Sequence, residues 1–131
     1  QLVLKIKPVY HDNKPDYNKE AAYIYGLLRE AWESCVEDDL FYSVVCRYRN
    51  SVRTLKLIEV EIEDTDVHDV DLHMSKASNW MTGHDKSKAL SHDRPAPDEL
   101  LADIEALRAF SKKLIHRRDQ TQKRRKALLK P

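Results

Sequence analysis

Apolar residues recur every three or four positions along most of this chain, and only two glycines interrupt it, Gly26 and Gly83. The clearest run consists of Tyr17, Ala21, Ile24, Leu28, Trp32 and either Cys35 or Val36. This spacing places apolar side chains on one face of an α-helix. An all-β fold would need more tight turns than two glycines can readily supply. The pattern therefore predicts an all-α fold.

The same periodicity predicts a bundle of about four helices within residues 16–131. After a break at the acidic residues 37–39, the helical pattern is expected to resume through Leu40, Phe41, Val44, Val45 and Tyr48. Another helix is expected to begin at residues 63–66 (Glu-Asp-Thr-Asp) and to run through Trp80 and Met81, with Gly83 where a C-terminal glycine would stop it. A last helix is expected to begin at Pro97, because proline suits the first turn.

Residues 1–15 are predicted to form an extended segment. Leu2 to Lys7 are apolar with partial alternation, and Pro8 breaks the run. The chain begins at Gln1, and its first residues already resemble the interior of a domain. We therefore interpret the chain as a fragment of a longer protein, in which this segment would complete a missing domain.

Opposite charges are segregated along the sequence. Residues 59–71 hold seven acidic residues and no Lys or Arg, whereas residues 107–131 hold ten basic residues and one acid, Asp119. Such a basic C-terminal tail favours a polyanion or an acidic protein surface as partner. Its candidate nucleic-acid-binding residues are Arg117, Arg118, Lys123, Arg124 and Arg125. The alternative is a solvated helix end, where cations suit the helix dipole.

Arg29, Glu33 and His84 are the candidate catalytic residues. Arg29 and Glu33 are four positions apart, so they share a helix face, and an arginine can bind two phosphate oxygens at once. His84 follows the helix-ending Gly83 and titrates near neutral pH, so it can move protons during phosphodiester cleavage. The simpler alternatives are a surface ion pair and a solvent-facing loop histidine.

Other classes of site find little support in the sequence. We expect no metal site, because Asp69 and His73 have helical ligand spacing but one helix face cannot surround a metal ion. We expect no cofactor, since no glycine-rich phosphate-binding loop occurs. No apolar run approaches the ~18 residues that span a bilayer. Cys35 and Cys46 would be too far apart on one helix for a disulfide, so we expect reduced thiols in a cytoplasmic protein.

Five segments in this order resemble the C-terminal region of large bacterial AAA/ABC-type ATPases, many of them linked to phage defence. The likeness covers roughly residues 20–118. The segments are residues 27–33 (Leu-Leu-Arg-Glu-Ala-Trp-Glu), 44–57 with Arg47, Arg49 and Arg53, 74–80 (Met-Ser-Lys-Ala-Ser-Asn-Trp), 83–85 (Gly-His-Asp) and 95–100 (Pro-Ala-Pro-Asp-Glu-Leu).

Some ATPases of that kind, the ATPase-coupled anticodon nucleases, carry C-terminal helical RNase domains of the HEPN class. Those domains use an Arg-x-x-x-Glu pair and a later histidine, an order that Arg29, Glu33 and His84 match. The resemblance implies metal-independent RNA cleavage, in which Arg29 and the basic tail hold the RNA backbone. His84 would then act as general acid or base, with Glu33 assisting. The implied partners are RNA, the ATPase portion of the same longer chain, and a second copy in a homodimer.

The second hypothesis is a non-catalytic module. The usual HEPN signature places a histidine five to seven positions after an arginine, and no arginine of this chain has one there. The alternative function is therefore an interaction or dimerisation module that places the ATPase on nucleic acid or on a partner protein.

Overall fold

The computed structural model describes residues 2–81 and 93–129, and these residues form an all-α bundle. The described helices are α1 (Leu2–Asp12), α2 (Lys14–Cys35), α3 (Asp64–Trp80) and α4 (Pro97–Leu129). A turn of π-helix, Val36–Leu40, extends α2, and a 3₁₀ helix, Thr54–Glu59, precedes α3. The predicted all-α bundle of about four helices is confirmed.

Helix α2 is the centre of the bundle and packs against α1, α3 and α4. Asn13 caps its N-terminus, since the Asn13 Oδ1 atom accepts a hydrogen bond from the backbone N–H of Asp16 at 3.3 Å. Of the side chains predicted to face the core, six are buried, namely Tyr17, Ala21, Ile24, Leu28, Trp32 and Cys35, whereas Val36, the alternative to Cys35, is partly buried. The three- and four-residue spacing of the sequence therefore identifies the buried face of α2 correctly.

The extended segment predicted for residues 1–15 is wrong, because Leu2–Asp12 forms helix α1. Val3 and Ile6 are three positions apart, as one helix face requires, and both side chains are buried in the core. Pro8 lies inside α1 and cannot donate a backbone hydrogen bond. Packing of the apolar face against α2 outweighs that loss, since tertiary burial supplies most helix stability. These residues therefore contribute to the core of this bundle.

The helix expected to resume at Leu40 does not form beyond that residue. The Phe41 N–H donates to the Val36 carbonyl at 2.9 Å, which widens the last turn. Left-handed φ angles of 50°, 55° and 68° then stop helical propagation at Tyr42, Ser43 and Tyr48. Residues 41–53 form an irregular segment, which we call the apolar loop. Its Val44 is buried, and the Val44 carbonyl accepts a hydrogen bond from the Arg53 N–H at 2.7 Å.

Helices α3 and α4 run antiparallel, as the ion pairs between them show: Lys76 with Asp103, Lys113 with Asp69 and Arg117 with Asp66. Helix α3 begins with a capping box formed by Glu63 and Asp66. The Tyr25 hydroxyl donates to the buried Asp103 carboxylate at 2.6 Å. Polar contacts of this kind join α2, α3 and α4.

Candidate interaction surface

Arg29 and Glu33 form the ion pair that their spacing predicts. The Arg29 Nη1 atom lies 2.9 Å from Glu33 Oε1, and both side chains remain partly exposed. The Arg29 Nε–H also donates to the Ser78 hydroxyl on α3 at 2.9 Å. The pair therefore connects α2 with the C-terminal part of α3.

Glu33 also belongs to a charge cluster that includes the apolar loop. Its Oε2 atom lies 3.7 Å from Arg47 Nη1, and Arg47 Nε donates to Glu37 Oε1 at 2.6 Å. The hydrogen bond and charge of Glu37 raise the pKa of Arg47 above its ordinary value. An arginine is charged at every physiological pH in any case, and through these contacts Arg47 links the loop to the end of α2.

His84, the third candidate catalytic residue, lies outside the described residues, as do Gly83 and Asp85. The description of this part of the chain continues as far as Met81. Met81 lies beside α2, since a Cβ atom placed on Gly26 would be only 3.9 Å from Met81 Cβ. Gly26 precedes Arg29 by three residues on the same helix. The structure therefore brings together two of the three candidate catalytic residues, and the role of His84 stays a prediction.

Arg117 is the most deeply held of the predicted nucleic-acid-binding residues. Its guanidinium forms two hydrogen bonds with the buried Asp66 carboxylate, at 2.5 and 2.9 Å. It also donates to the Glu61 carbonyl at 3.2 Å and lies 3.2 Å from a Glu63 carboxylate oxygen. These contacts hold α4 against the start of α3 and the residues just before it, so the Arg117 side chain stabilises the fold.

The other predicted tail residues contact the protein to different degrees. Arg118 lies 3.7 Å over the Tyr42 ring and donates to the Asp39 carbonyl. Arg124 pairs with the Glu61 carboxylate at 2.9 Å, and Arg125 donates to the carbonyls of Leu57 and Val60. Lys123 is the most exposed of the five and pairs with Asp119 on the same helix face. The acidic segment is thus a partner of the basic tail within one chain, and nucleic-acid binding stays a prediction.

An apolar groove lies beside the charge cluster of Glu33, Glu37 and Arg47. These three side chains form its rim, and its apolar lining consists of Val36, Phe41, Val45, Val70 and Met74. The apolar loop exposes four large apolar side chains, namely Phe41, Val45, Tyr48 and Val52. Tyr48 is entirely exposed. Phe41 and Val45 belong to both the groove and the apolar loop, and the groove and the loop together are the candidate interaction surface.

Sequence reasoning missed this surface because it assigned Phe41, Val45 and Tyr48 to a helical stripe facing the core. Their three- and four-residue spacing is the same as that of the buried residues of α2. The acidic residues 37–39 mark the place where the helix ends, and they are the one local signal that separates the two stretches. Helical spacing alone cannot distinguish a core stripe from an exposed loop.

Comparisons with protein-family models, curated proteins and solved structures find no match to this chain. Across residues 2–81 and 93–129, the His, Cys, Asp and Glu side chains form no cluster of three or more that could hold a metal ion. Over the same ranges, no helix has a stretch long and apolar enough to cross a membrane.

Proposed function

We propose that this chain is a non-catalytic helical module that self-associates through the apolar groove and the apolar loop. The observation that carries the proposal is the exposure of Phe41, Val45, Tyr48 and Val52 within thirteen residues. Large apolar side chains that are exposed together are typical of protein interfaces, and Phe41 and Val45 line one groove. Tyrosine and phenylalanine are also enriched at interface cores.

A second copy of the chain is the partner that fits the charges around the groove. The rim carries both signs, because Arg47 adjoins Glu33 and Glu37. A two-fold interface brings the same patch of two subunits together, so it can set the basic side of one rim against the acidic side of the other. A partner of one predominant charge would leave part of this rim opposed to a like charge.

The backbone of the apolar loop gives independent support. Tyr42, Ser43 and Tyr48 occupy the left-handed region without being glycine. Such conformations are unfavourable for bulky residues and are concentrated at functional sites. The Tyr48 side chain is fully exposed in a single chain, so no burial there offsets the strain of its backbone. Burial against a second copy supplies that compensation.

In the ATPase context that the sequence resemblance implies, self-association would bring two ATPase portions together. The module would then control the distance between two copies of the enzyme. Its own residues would take no part in chemistry. This role needs neither a metal nor His84.

The aspartate substitution Val45→Asp tests the proposed interface. We expect it to weaken self-association at least tenfold, because it places a charge in the apolar centre of the contact. Size-exclusion chromatography with light scattering measures the effect. Leu128→Asp is the matched control, since Leu128 is also exposed but lies near the end of α4. Loss of association in the Leu128 variant alone would place the interface elsewhere.

Metal-independent RNA cleavage is the second candidate function. The observation that favours it is the ion pair between Arg29 and Glu33. Arg29 also donates a hydrogen bond to Ser78 in the C-terminal part of α3. Arg29→Ala and His84→Ala are expected to abolish cleavage of a single-stranded RNA in the full-length protein. Arg108→Ala is the control, because Arg108 forms a comparable exposed pair with Glu105. Unchanged cleavage in both test variants would end this hypothesis.

A further inference from the structure

A second groove lies where the last turns of α4 meet the 3₁₀ helix Thr54–Glu59. We call it the terminal groove, and its volume is about 520 Å³. Its lining includes Leu55, Leu57 and Ile58 from the 3₁₀ helix and Arg125, Leu128 and Leu129 from α4. The terminal groove shares no residue with the apolar loop or with the groove beside Glu33, Glu37 and Arg47. It is therefore distinct from the surface proposed for self-association.

The leucines of the terminal groove face solvent. Leu55 is 91% exposed, Leu128 78%, Leu129 73% and Leu57 52%. Exposed apolar side chains that line one concave site are typical of places where a partner binds. A partner can contact these four leucines without any rearrangement of the bundle.

Positive charge is concentrated on the α4 side of the terminal groove. Residues 120–129 hold four basic residues and no acid, whereas the 3₁₀ helix holds one of each. Two of the four, Lys123 and Arg124, are paired with acids of the chain. The other two are Arg125 and Lys126, and neither forms an ion pair within the described part of the chain. The α4 side of the groove therefore keeps two positive charges that no ion pair balances.

Both of these cations are placed to bind a carboxylate at the edge of the groove. Arg125 lines the groove, and its Nη1 atom donates to the carbonyls of Leu57 and Val60. Those carbonyls carry no net charge, and the Nε and Nη2 atoms of a guanidinium provide further donors. Lys126 is exposed and precedes Leu129 by three positions, so the two residues occupy the same face of α4. The groove thus combines exposed leucines with a basic edge.

We propose that the terminal groove binds an acidic amphipathic helix of a partner protein. Apolar side chains of that helix, spaced by three or four positions, enter the groove and contact its leucines. Glu or Asp residues beside them pair with Arg125 and Lys126, because complementary charges determine which partner is accepted.

The shape and chemistry of the groove favour this partner over other polyanions. A nucleic acid supplies negative charge but no aliphatic side chains for the four leucines. An anionic bilayer supplies charge and apolar chains, but it binds apolar faces that project into it rather than filling a recess between two helices. An acidic helix supplies carboxylates together with side chains that project into such a recess.

Fluorescence anisotropy with the full chain tests the proposal. The probe is a labelled peptide of about three heptads with Leu on one helix face and Glu beside it. We expect saturable binding with a Kd of about 100 μM or tighter at low salt, and weaker binding at high salt. The same peptide with Lys in place of each Glu should bind at least tenfold more weakly. No binding of the acidic peptide, or equal binding of the two peptides, overturns the proposal.

Two further measurements separate this site from its alternatives. The first is sedimentation of the chain with vesicles of phosphatidylcholine and phosphatidylserine. Binding to the vesicles without binding of the peptide assigns the groove to a lipid surface and overturns the proposal. The second is peptide binding by Val45→Asp, which should equal that of the wild type, because Val45 does not line the terminal groove. Loss of peptide binding in this variant would place the peptide at the other groove.

Two substitutions with matched controls on the same helix locate the site. Leu128→Asp is expected to weaken binding of the acidic peptide at least tenfold, whereas Ile115→Asp leaves it unchanged, because Ile115 is also exposed but lies about 20 Å away along α4. Lys126→Glu is expected to weaken binding at least threefold, and Lys112→Glu, at another exposed position, leaves it unchanged. Undiminished binding in both Leu128→Asp and Lys126→Glu contradicts the assignment.

Discussion

The guanidinium of Arg117 on α4 holds the buried carboxylate of Asp66 at the start of α3 through two hydrogen bonds, at 2.5 and 2.9 Å. Asp66 also accepts the backbone N–H of Glu63 at 2.8 Å and so caps α3. One ion pair therefore joins the acidic segment of the sequence to its basic tail. The segregated charges of the sequence predict an external polyanion as partner. In the structure, these opposite charges pair with each other and stabilise the fold.

Removal of Arg117 is expected to destabilise the protein strongly. Arg117→Met leaves the Asp66 carboxylate buried with a weaker partner, Lys113, at 3.5 Å. Breaking one side of a buried ion pair costs roughly 3 kcal/mol or more of unfolding free energy. Lys123→Met is the control and should change the unfolding free energy by less than about 0.5 kcal/mol, because its pair with Asp119 is exposed. Urea unfolding followed by circular dichroism measures both, and equal effects would contradict this account.

Stability should fall at acid pH partly through Asp66. Burial raises the pKa of its carboxyl group, but hydrogen bonds from Arg117 and from the Glu63 backbone outweigh burial and hold the pKa below its ordinary value of 3.8. The unfolded chain then takes up the proton first, so this contribution is complete above the ordinary pKa and is lost as pH falls through the lowered value. The stability advantage over Asp66→Asn should therefore shrink below about pH 4. An advantage that grows on acidification would show the opposite sign.

Tyr48→Gly is expected to separate folding from association. Glycine relieves the left-handed conformation of this residue, and no buried contact is lost, because the side chain is fully exposed. The unfolding free energy should rise by up to about 1 kcal/mol, while self-association weakens. Thermal unfolding at low protein concentration measures the first effect, and light scattering measures the second. A variant that is less stable but associates normally would contradict the proposed role of the loop.

The two cysteines should differ in reactivity. Burial, followed by the nearby Asp39 carboxylate, raises the pKa of Cys35 to about 12, so almost no thiolate forms at pH 8. Cys46 is only partly buried. Mass spectrometry after iodoacetamide treatment should find Cys46 modified, and Cys35 modified only after unfolding. Equal labelling of the native protein would show that the end of α2 opens readily.

The helical stripes were predictable because burial in α2 follows the three- and four-residue spacing of its sequence. The same rule fails at the N-terminus, where Leu2 to Lys7 satisfy both alternation and helical spacing. Pro8 favoured the incorrect prediction of an extended segment, because the cost of a proline inside a helix is visible in the local sequence. The burial of Val3 and Ile6 that compensates for this cost depends on packing against α2. That information is tertiary and is absent from the local pattern.

The Arg29–Glu33 pair was predictable from spacing, but the groove beside it was not. The end of the α2 extension near Phe41 depends on left-handed residues that the side-chain pattern does not reveal. The pairing of the basic tail was also hidden, because it joins residues more than fifty positions apart, such as Asp66 and Arg117. Opposite charge in the two segments is consistent with that pairing but does not specify it.

Sedimentation equilibrium of the unmodified chain, over a concentration series from about 1 to about 100 μM, tests directly whether the chain self-associates. If two copies associate through the apolar loop, the average mass approaches twice that of one chain as the concentration rises. Val45→Asp should remain at the mass of a single chain throughout that series. A wild-type chain that stays monomeric at the highest concentration would contradict self-association through the apolar loop.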